Sequence, residues 1–466
     1  MMSNHMDTET QSSLLDLIGV GIGPFNLGLA TMLTKAEDVK AMFFEQKPQF
    51  DWHPGLLLEG TTLQVPFFAD LVTMADPTSP FSFLNYLKEH NRLFHFYFLE
   101  KFHIPRVEYN HYCQWVSQQL DSCYFGRQVT SVTWHKGNNQ DYFSIEVMEI
   151  DSGNTKKYLA KNLVLGVGST PNIHPKFQGF LSEEVFHSST FQHHRNRCRK
   201  ADSITVVGSG QSAAEVFYAL LLDQTDYDYK LDWLTRSDGF FPMEYSKLGL
   251  EHFSPDYTTY FHHLPQNKRD DRILKQDLLY KGISTKTIAD IYDLIYERTA
   301  CGSQIPVRLL SQIDVQQIKK QEQGEKQNYQ LSCFQKEQEK HFVHESEMVI
   351  FATGYQRKTP SCLSHLESLI CRDEKNRTIV NRNYQLVLTE ETNCSIFVQN
   401  DELHTHGIGS PDLGLGAYRN SVIINELSHR NIYPVSDRNI YQQFGIFSPS
   451  VDNSNKDIQK GVSIYE

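Results

Sequence analysis

At 466 residues, with 39% hydrophobic and 12% aromatic content, the chain is too long for one ordinary core and too apolar for a disordered one, so two or three globular domains are expected. A formal net charge of -12 with no basic run or basic-aromatic patch argues against nucleic acid as a partner. No apolar run approaches the roughly eighteen residues of a membrane span and no charged-then-apolar leader is seen, so a cytoplasmic protein with no membrane partner is expected; the eight cysteines form no CxxC pairs, which speaks against a zinc site or a disulfide framework.

After a polar tail, residues 1–13, an apolar stretch at 14–20 breaks at Gly19, Gly21 and Gly23, and helical spacing resumes over 26–33. Strand, tight turn and helix in that order suit a dinucleotide. The glycines let the backbone approach a pyrophosphate, and the helix N-terminus offers it unpaired N–H groups. Pro24 stands where a strict GxGxxG would carry its third glycine, so the motif alone is weak. Its context strengthens it, because a second strand over 42–44 ends in Glu45, an acid placed to accept ribose hydroxyls.

Residues 46–79 are rich in proline, glycine and aromatics without a sustained period, which reads as an ordered loop across a cofactor face. Trp52, His53 and Gln64 are the side chains there able to stack on a ring or hydrogen-bond to it. Taken singly, each better suits a packed aromatic or a satisfied loop side chain. Helices are expected over 80–90 and 109–120, strands over 129–134 and 143–148, and a buried strand over 163–167 running into Gly166, Gly168 and Pro171 as a crossing between domains.

A second nucleotide motif, SITVVGSGQSAAE at 203–215, places Gly208, Gly210 and Ala213 on the GxGxxG/A pattern between a strand and a helix, and this match is strong. The following strand, 231–234, ends in Thr235-Arg236-Ser237 and not in an acid. An arginine there suits a 2'-phosphate, which favours NADPH over NADH. Helical periodicity marks 272–280 and 286–299, an exposed hairpin is expected over 316–341, and MVIFATGY at 348–355 reads as a buried strand entering a glycine turn. A strand over 396–400 then leads into a glycine-rich segment and a helix over about 415–427.

The motifs GVGIGPFNL, FDWHPG, LQVPFFADLVT, DPTSPFSFLNYL, VVGSGQSAAE, FATGY and THGIGSPDLGLGAYR, in that order, resemble those of the single-component N-hydroxylating flavin monooxygenases of siderophore biosynthesis, the lysine and ornithine N-hydroxylases and their diamine relatives. The resemblance runs from Asp16 to about Leu427. It implies an α/β fold with two Rossmann-like domains and a smaller, mainly helical substrate region. Its layout would be a discontinuous FAD-binding domain at 14–170 and 345–440, an NADPH-binding domain at 171–239 and 301–344, a substrate region at 240–300, and tails at 1–13 and 441–466. In such enzymes NADPH reduces FAD, the oxidised dinucleotide stays bound, O2 adds to give a flavin hydroperoxide, and the neutral amine takes its distal oxygen. No catalytic side chain is expected, because the cofactors carry the chemistry. The resemblance further implies cofactor contacts from Gln46, Ser209, Gln211, Ser212, Thr353, Gly354, Tyr355, Asp412 and Leu413, and suggests a homotetramer.

Three departures from the family pattern concern the substrate. Where the amino-acid hydroxylases usually carry a lysine that pairs with the substrate carboxylate, this chain has Ala69; Leu250 replaces an asparagine and Gly414 a serine. A buried carboxylate without those partners is strongly disfavoured, whereas a diamine carries none. The distal ammonium of a diamine needs an acid, for which Asp412 is the first choice and Glu244 the second, beside Gln64. Asp412 also suits a plain helix cap ahead of Leu415. The reading is therefore a diamine N-hydroxylase, with a lysine or ornithine N-hydroxylase or another flavin monooxygenase class as the alternatives. A disulfide reductase would need a redox cysteine pair that the sequence lacks, and a non-enzymatic binding module fits poorly with two intact nucleotide motifs.

Overall fold

The computed structural model describes residues 14–323 and 326–446; of the two tails expected from sequence, 1–13 and 447–466 lie outside the described residues. Strand β1, Leu15–Val20, has Leu17 and Ile18 fully buried and turns through Gly21 into helix α1, Pro24–Met32. Proline at the first helical position loses nothing by lacking an N–H there. Strand β2, Ala41–Glu45, lies parallel to β1 and sets Phe43 beside Gly19. A Cβ on Gly19 would fall 2.1 Å from the Phe43 ring, so strand packing demands that glycine.

Helices α2 (Phe83–Glu89), α3 (Leu93–Leu99) and α4 (Arg106–Ser117) follow, then β3 (Cys123–Phe125), β4 (Arg127–His135), β5 (Tyr142–Glu149) and β6 (Thr155–Leu165). Ser82 caps α2 by accepting from the Asn85 N–H at 3.3 Å. In the second half come β7 (Val185–His187), β8 (Ser203–Val207), α5 (Gln211–Asp223), β9 (Lys230–Leu234), α6 (Pro255–His263), α7 (Gln266–Lys275), α8 (Thr285–Thr299) and β10 (Val307–Leu310). The chain closes with β11 (Ile313–Gln323), β12 (Lys326–Gln335), β13 (Lys340–Ser346), β14 (Met348–Phe351), β15 (Ser395–Val398) and α9 (Gly416–Ser428).

The first sheet runs β3-β2-β1-β6-β5-β4, with β15 parallel to β6 beyond that path. The second runs β10-β9-β8-β14-β7, all parallel. Parallel sheets need cover on both faces, which explains the near-continuous apolar runs of β8, β9 and β14. The two chain crossings between the sheets pair with each other, Thr170–Pro171 against Tyr355–Gln356, as a short antiparallel ribbon.

Three sequence expectations are corrected here. Met348–Phe351 does not open the second part of the first domain at 345; it pairs with β8 and β7 inside the second sheet, so that sheet ends at Phe351. The hairpin expected over 316–341 is a three-stranded antiparallel sheet, β11-β12-β13, because Lys340–Ser346 adds a third strand. The helix expected over 272–280 is two, Gln266–Lys275 and Asp277–Tyr280. They break at buried Gln276, whose backbone leaves the helical region and whose side chain donates to the Tyr257 hydroxyl at 2.7 Å.

Candidate active site in the cleft between the sheets

A single cleft of ≈ 3560 Å³ extends from the C-terminal end of β1 to that of β8 and reaches under α6–α8. A drug-sized ligand occupies roughly 300–1,000 Å³, so this space has room for several. Carboxyl ends of parallel strands are where open α/β sheets hold ligands.

At the first end, Gly21 has a φ of 85° and lies so close to the returning chain that a Cβ would meet the Gly166 carbonyl oxygen at 2.7 Å. Asn26 holds this turn by donating to the Gly21 carbonyl at 2.8 Å. Gly23 precedes α1 and no side chain caps the helix, so its first N–H groups face the cleft beside Pro24. Glu45 accepts from the Ile22 N–H at 2.9 Å and the Lys47 N–H at 3.0 Å, which fixes its carboxylate at the cleft wall beside Gln46. Trp52 and His53 line the same wall, edge to face with ring centroids 5.0 Å apart. Burial pushes the His53 imidazole down to about 4, helped by Arg106 and Lys47, so it is neutral at pH 7. The Gln64 amide nitrogen lines the cleft, is buried, and has no protein acceptor among the described residues. A buried donor left unpaired calls for a ligand acceptor. The turn without room for a Cβ, the uncapped helix and this orphaned amide together fit an adenine dinucleotide with a hydrogen-bonding ring system.

At the second end, Ser209, Gln211 and Ser212 line the cleft where α5 begins, again without a side-chain cap. Arg236, exposed just beyond β9, also lines it. Thr353, Gly354 and Tyr355 line the crossing between the ends; Thr353 donates to the Asn172 carbonyl and His187 meets the Gly354 carbonyl at 3.0 Å.

Gly19, Gly208 and Gly210, grouped by sequence with the cofactor contacts, do not line the cleft. Gly19 makes room for Phe43, and Gly208 makes room for the Ala352 carbonyl, which a Cβ would approach to 2.2 Å. Gly210 is the residue before α5, with its role in the turn and not in the wall.

The third corner gathers the departures noted in the sequence. Asp412 lies in the cleft and accepts from the Gly414 N–H through Oδ1 at 2.7 Å, so it caps the short turn Leu413–Leu415. No described residue donates to its other oxygen. Burial pushes the Asp412 carboxyl up to about 6, against the pull of the Gly414 N–H and the Arg419 guanidinium. A Cβ on Gly414 would sit 2.8 Å from Asp412 Oδ1 and 3.9 Å from the Ala69 Cβ. Ala69, Gly414 and Asp412 thus meet within a few ångströms, and the missing side chain at 414 is what leaves the carboxylate room. Leu413 and Leu250 line the same cleft.

Glu244, the second choice for an anchor, is not there. It is exposed, accepts from the Ser246 N–H at 2.6 Å and does not line the cleft. Its neighbour Tyr245 does, and burial together with the nearby Asp412 charge pushes the Tyr245 hydroxyl up to about 12. Arg106 and Glu215, which sequence reading passed over, also line the cleft. Burial pushes the Glu215 carboxyl up, opposed by Arg106 and by the Gln211 amide.

The sequence matches the L-lysine 6-monooxygenase/L-ornithine 5-monooxygenase family over residues 13–357. Among curated relatives, the rhizobactin siderophore biosynthesis protein RhbE of Rhizobium meliloti is 44% identical, over 92% of this chain and 95% of that protein. A putrescine N-hydroxylase of Shewanella oneidensis is 42% identical over 94% of this chain and 85% of that protein. Among solved structures, the FAD-bound cadaverine monooxygenase DfoA of the desferrioxamine pathway in Erwinia amylovora superposes with a TM-score of 0.88 at 40% identity, covering 94% of this chain and 100% of that one.

Proposed function

The chain belongs to the L-lysine 6-monooxygenase/L-ornithine 5-monooxygenase family, and on that premise we propose that it N-hydroxylates an aliphatic diamine, putrescine or cadaverine, for hydroxamate siderophore synthesis. It is a flavin monooxygenase that uses FAD and NADPH. The observation that carries the diamine reading is the Ala69–Gly414–Asp412 corner, which offers an acid where an amino-acid substrate would need a cation.

When bound and reduced by NADPH, the flavin activates O2 and supplies the oxygen atom that the amine receives, the second oxygen leaving as water. The chain's own work is placement. In this reading the Gly21–Gly23 turn and the start of α1 hold the FAD pyrophosphate, Glu45 takes the ribose, and Gln64 donates its unpaired amide to the flavin ring. Ser209, Gln211 and Ser212 face the NADPH pyrophosphate at the start of α5. Asp412 holds the distal ammonium through its free oxygen, and the apolar wall of Leu250 and Leu413 disfavours charge on the near nitrogen, which must be neutral to react.

Arg236 is assigned the 2'-phosphate. Arg236→Ala should raise KM for NADPH about ten- to a hundredfold, the worth of one charge-assisted hydrogen bond, while KM for NADH stays within about twofold. Equal effects on both dinucleotides in steady-state oxidation assays would place the phosphate elsewhere.

A cytoplasmic homotetramer completes the proposal. No helix among the described residues is long and apolar enough to cross a membrane. Helix α3 has no buried residue and exposes Phe94, Tyr97 and Phe98 beside a hollow lined by Phe67, Leu84 and Phe102, an apolar patch that suits one isologous contact between copies, of which a tetramer needs a second kind as well. The reaction itself is tested by hydroxylamine formation from putrescine and cadaverine with NADPH. NADPH oxidation that yields no hydroxylated amine with either would contradict it.

A further inference from the structure

Only one pair of side chains in the cleft is a bidentate ion pair joining the two sheets' own helices, among the described residues. Arg106, at the first turn of α4 beside the first sheet, donates from both terminal nitrogens to Glu215 on α5 of the second, at 2.7 Å each. Its Nε donates to the Thr62 carbonyl at 3.2 Å, so the guanidinium is fixed from both sides. Glu215 is 5% exposed and also accepts from the Gln211 amide at 2.8 Å. Gln211 in turn donates to the Thr287 hydroxyl at 3.0 Å and accepts from the Ser284 N–H at 2.7 Å, both at the start of α8. One continuous network therefore ties α4, α5 and α8 together inside the cleft. It runs through the helix turn that carries the second nucleotide motif.

Apolar packing also joins the halves. Leu56 and Leu58, on the loop after Trp52, are buried in the core of the second unit, and Gly55 lies against the Ser189 carbonyl, where a Cβ would come to 1.9 Å. Such packing gives adhesion but little angular definition, and the chain passes directly from one sheet to the other only at 170–171 and 355–356, where the two crossings pair as a short ribbon. A bidentate carboxylate–guanidinium pair does define an angle, because its two parallel hydrogen bonds fix plane and direction.

The structure assigns to Arg106 and Glu215 the role of an interdomain latch, a pair of positioning residues that registers the start of α5, with Gln211, against the first sheet. Its consequence for turnover rests on the FAD and NADPH reading above; the latch itself rests on the geometry alone. With the register lost, the nicotinamide end of the dinucleotide no longer sits in one place over the flavin face. Electrons still reach oxygen, but more of them leave as hydrogen peroxide and fewer as hydroxylated amine.

The test compares the full-length protein with Arg106→Gln, Glu215→Gln and the charge-swapped double variant Arg106→Glu/Glu215→Arg. Amide hydrogen exchange on the apoprotein should rise several-fold at residues 59–66, 211–217 and 284–290 in both single variants and return toward wild type in the swap. In the loaded enzyme, the ratio of hydroxylamine formed to NADPH oxidised should fall at least threefold in each single variant, with peroxide making up the difference, and the swap should recover most of it. Unchanged exchange and unchanged coupling in the single variants would overturn the latch. So would a folded swap variant as loose and as uncoupled as the single ones, a result that also decides the matter if the single variants do not fold. Because the exchange measurement needs no cofactor and no substrate, failure of the diamine reading would leave the latch result standing.

Discussion

Asp412→Asn should lower kcat/KM for putrescine or cadaverine by about two to three orders of magnitude, while FAD content and amine-independent NADPH oxidation remain near wild type. Asparagine keeps the shape and still accepts from the Gly414 N–H, so the turn Leu413–Leu415 survives. What disappears is a negative charge within a recess that no other described residue pairs. Removing one partner of a desolvated charge pair costs about 3–4 kcal/mol, and this sets the expected size. The effect should lie mainly in KM, because the proposed anchor would hold the substrate in ground and transition states alike. The pH dependence gives a second signature. With the Asp412 carboxyl at about 6, the free enzyme loses its anion as pH falls through that value, so the diamine KM should rise steeply below about pH 6. That limb should be missing from Asp412→Asn. The stability sign is the opposite of the binding sign: an acid whose folded pKa is raised above about 3.9 destabilises the fold once ionised, over the window from about pH 4 to 6. Asp412→Asn should therefore melt higher than wild type at pH 7, with the gain gone below pH 4.

Ala69→Lys is the converse experiment and should abolish diamine turnover to a similar extent. The Ala69 Cβ lies 3.9 Å from the place a Cβ would take on Gly414, which itself is 2.8 Å from Asp412 Oδ1. A lysine ammonium at 69 would reach that carboxylate and occupy the proposed seat of the distal ammonium, and any diamine that still entered would meet a like charge. Turnover of lysine or ornithine should not appear in this variant alone, because Leu250 and Gly414 still offer no hydrogen bond to an amino-acid head group and Asp412 still repels its carboxylate. Undiminished putrescine and cadaverine turnover in Ala69→Lys, with FAD bound, would mean that the ammonium is seated elsewhere.

Both nucleotide turns were legible because their physics is local. Gly21, Gly23 and Pro24 follow a strand and open a helix within one short stretch, and Glu45 closes the next strand. The same stretch misleads at Gly19, whose glycine answers to Phe43 on the neighbouring strand, a contact that spacing along the chain does not report. Met348–Phe351 was legible as a buried strand but not as a member of the second sheet, since an apolar run suits either parallel sheet and only pairing with β8 and β7 decides. Charge drew attention to Glu244, whereas the local turn points that acid to solvent and Tyr245 to the cleft. Arg106 and Glu215 stand 109 positions apart, and although Glu215 closes the second nucleotide motif, nothing local announces its partnership with Arg106.

In the proposed reading the site rejects a carboxylate and accepts an ammonium, and substrates that differ in that group alone separate the two. Hydroxylamine formed per NADPH oxidised should be measured for cadaverine beside lysine and for putrescine beside ornithine, at saturating NADPH and at pH 8. Coupled hydroxylation of at least one diamine is expected, with kcat/KM about a hundredfold or more above that of its matched amino acid. Appreciable turnover of lysine or ornithine with none of either diamine would contradict it.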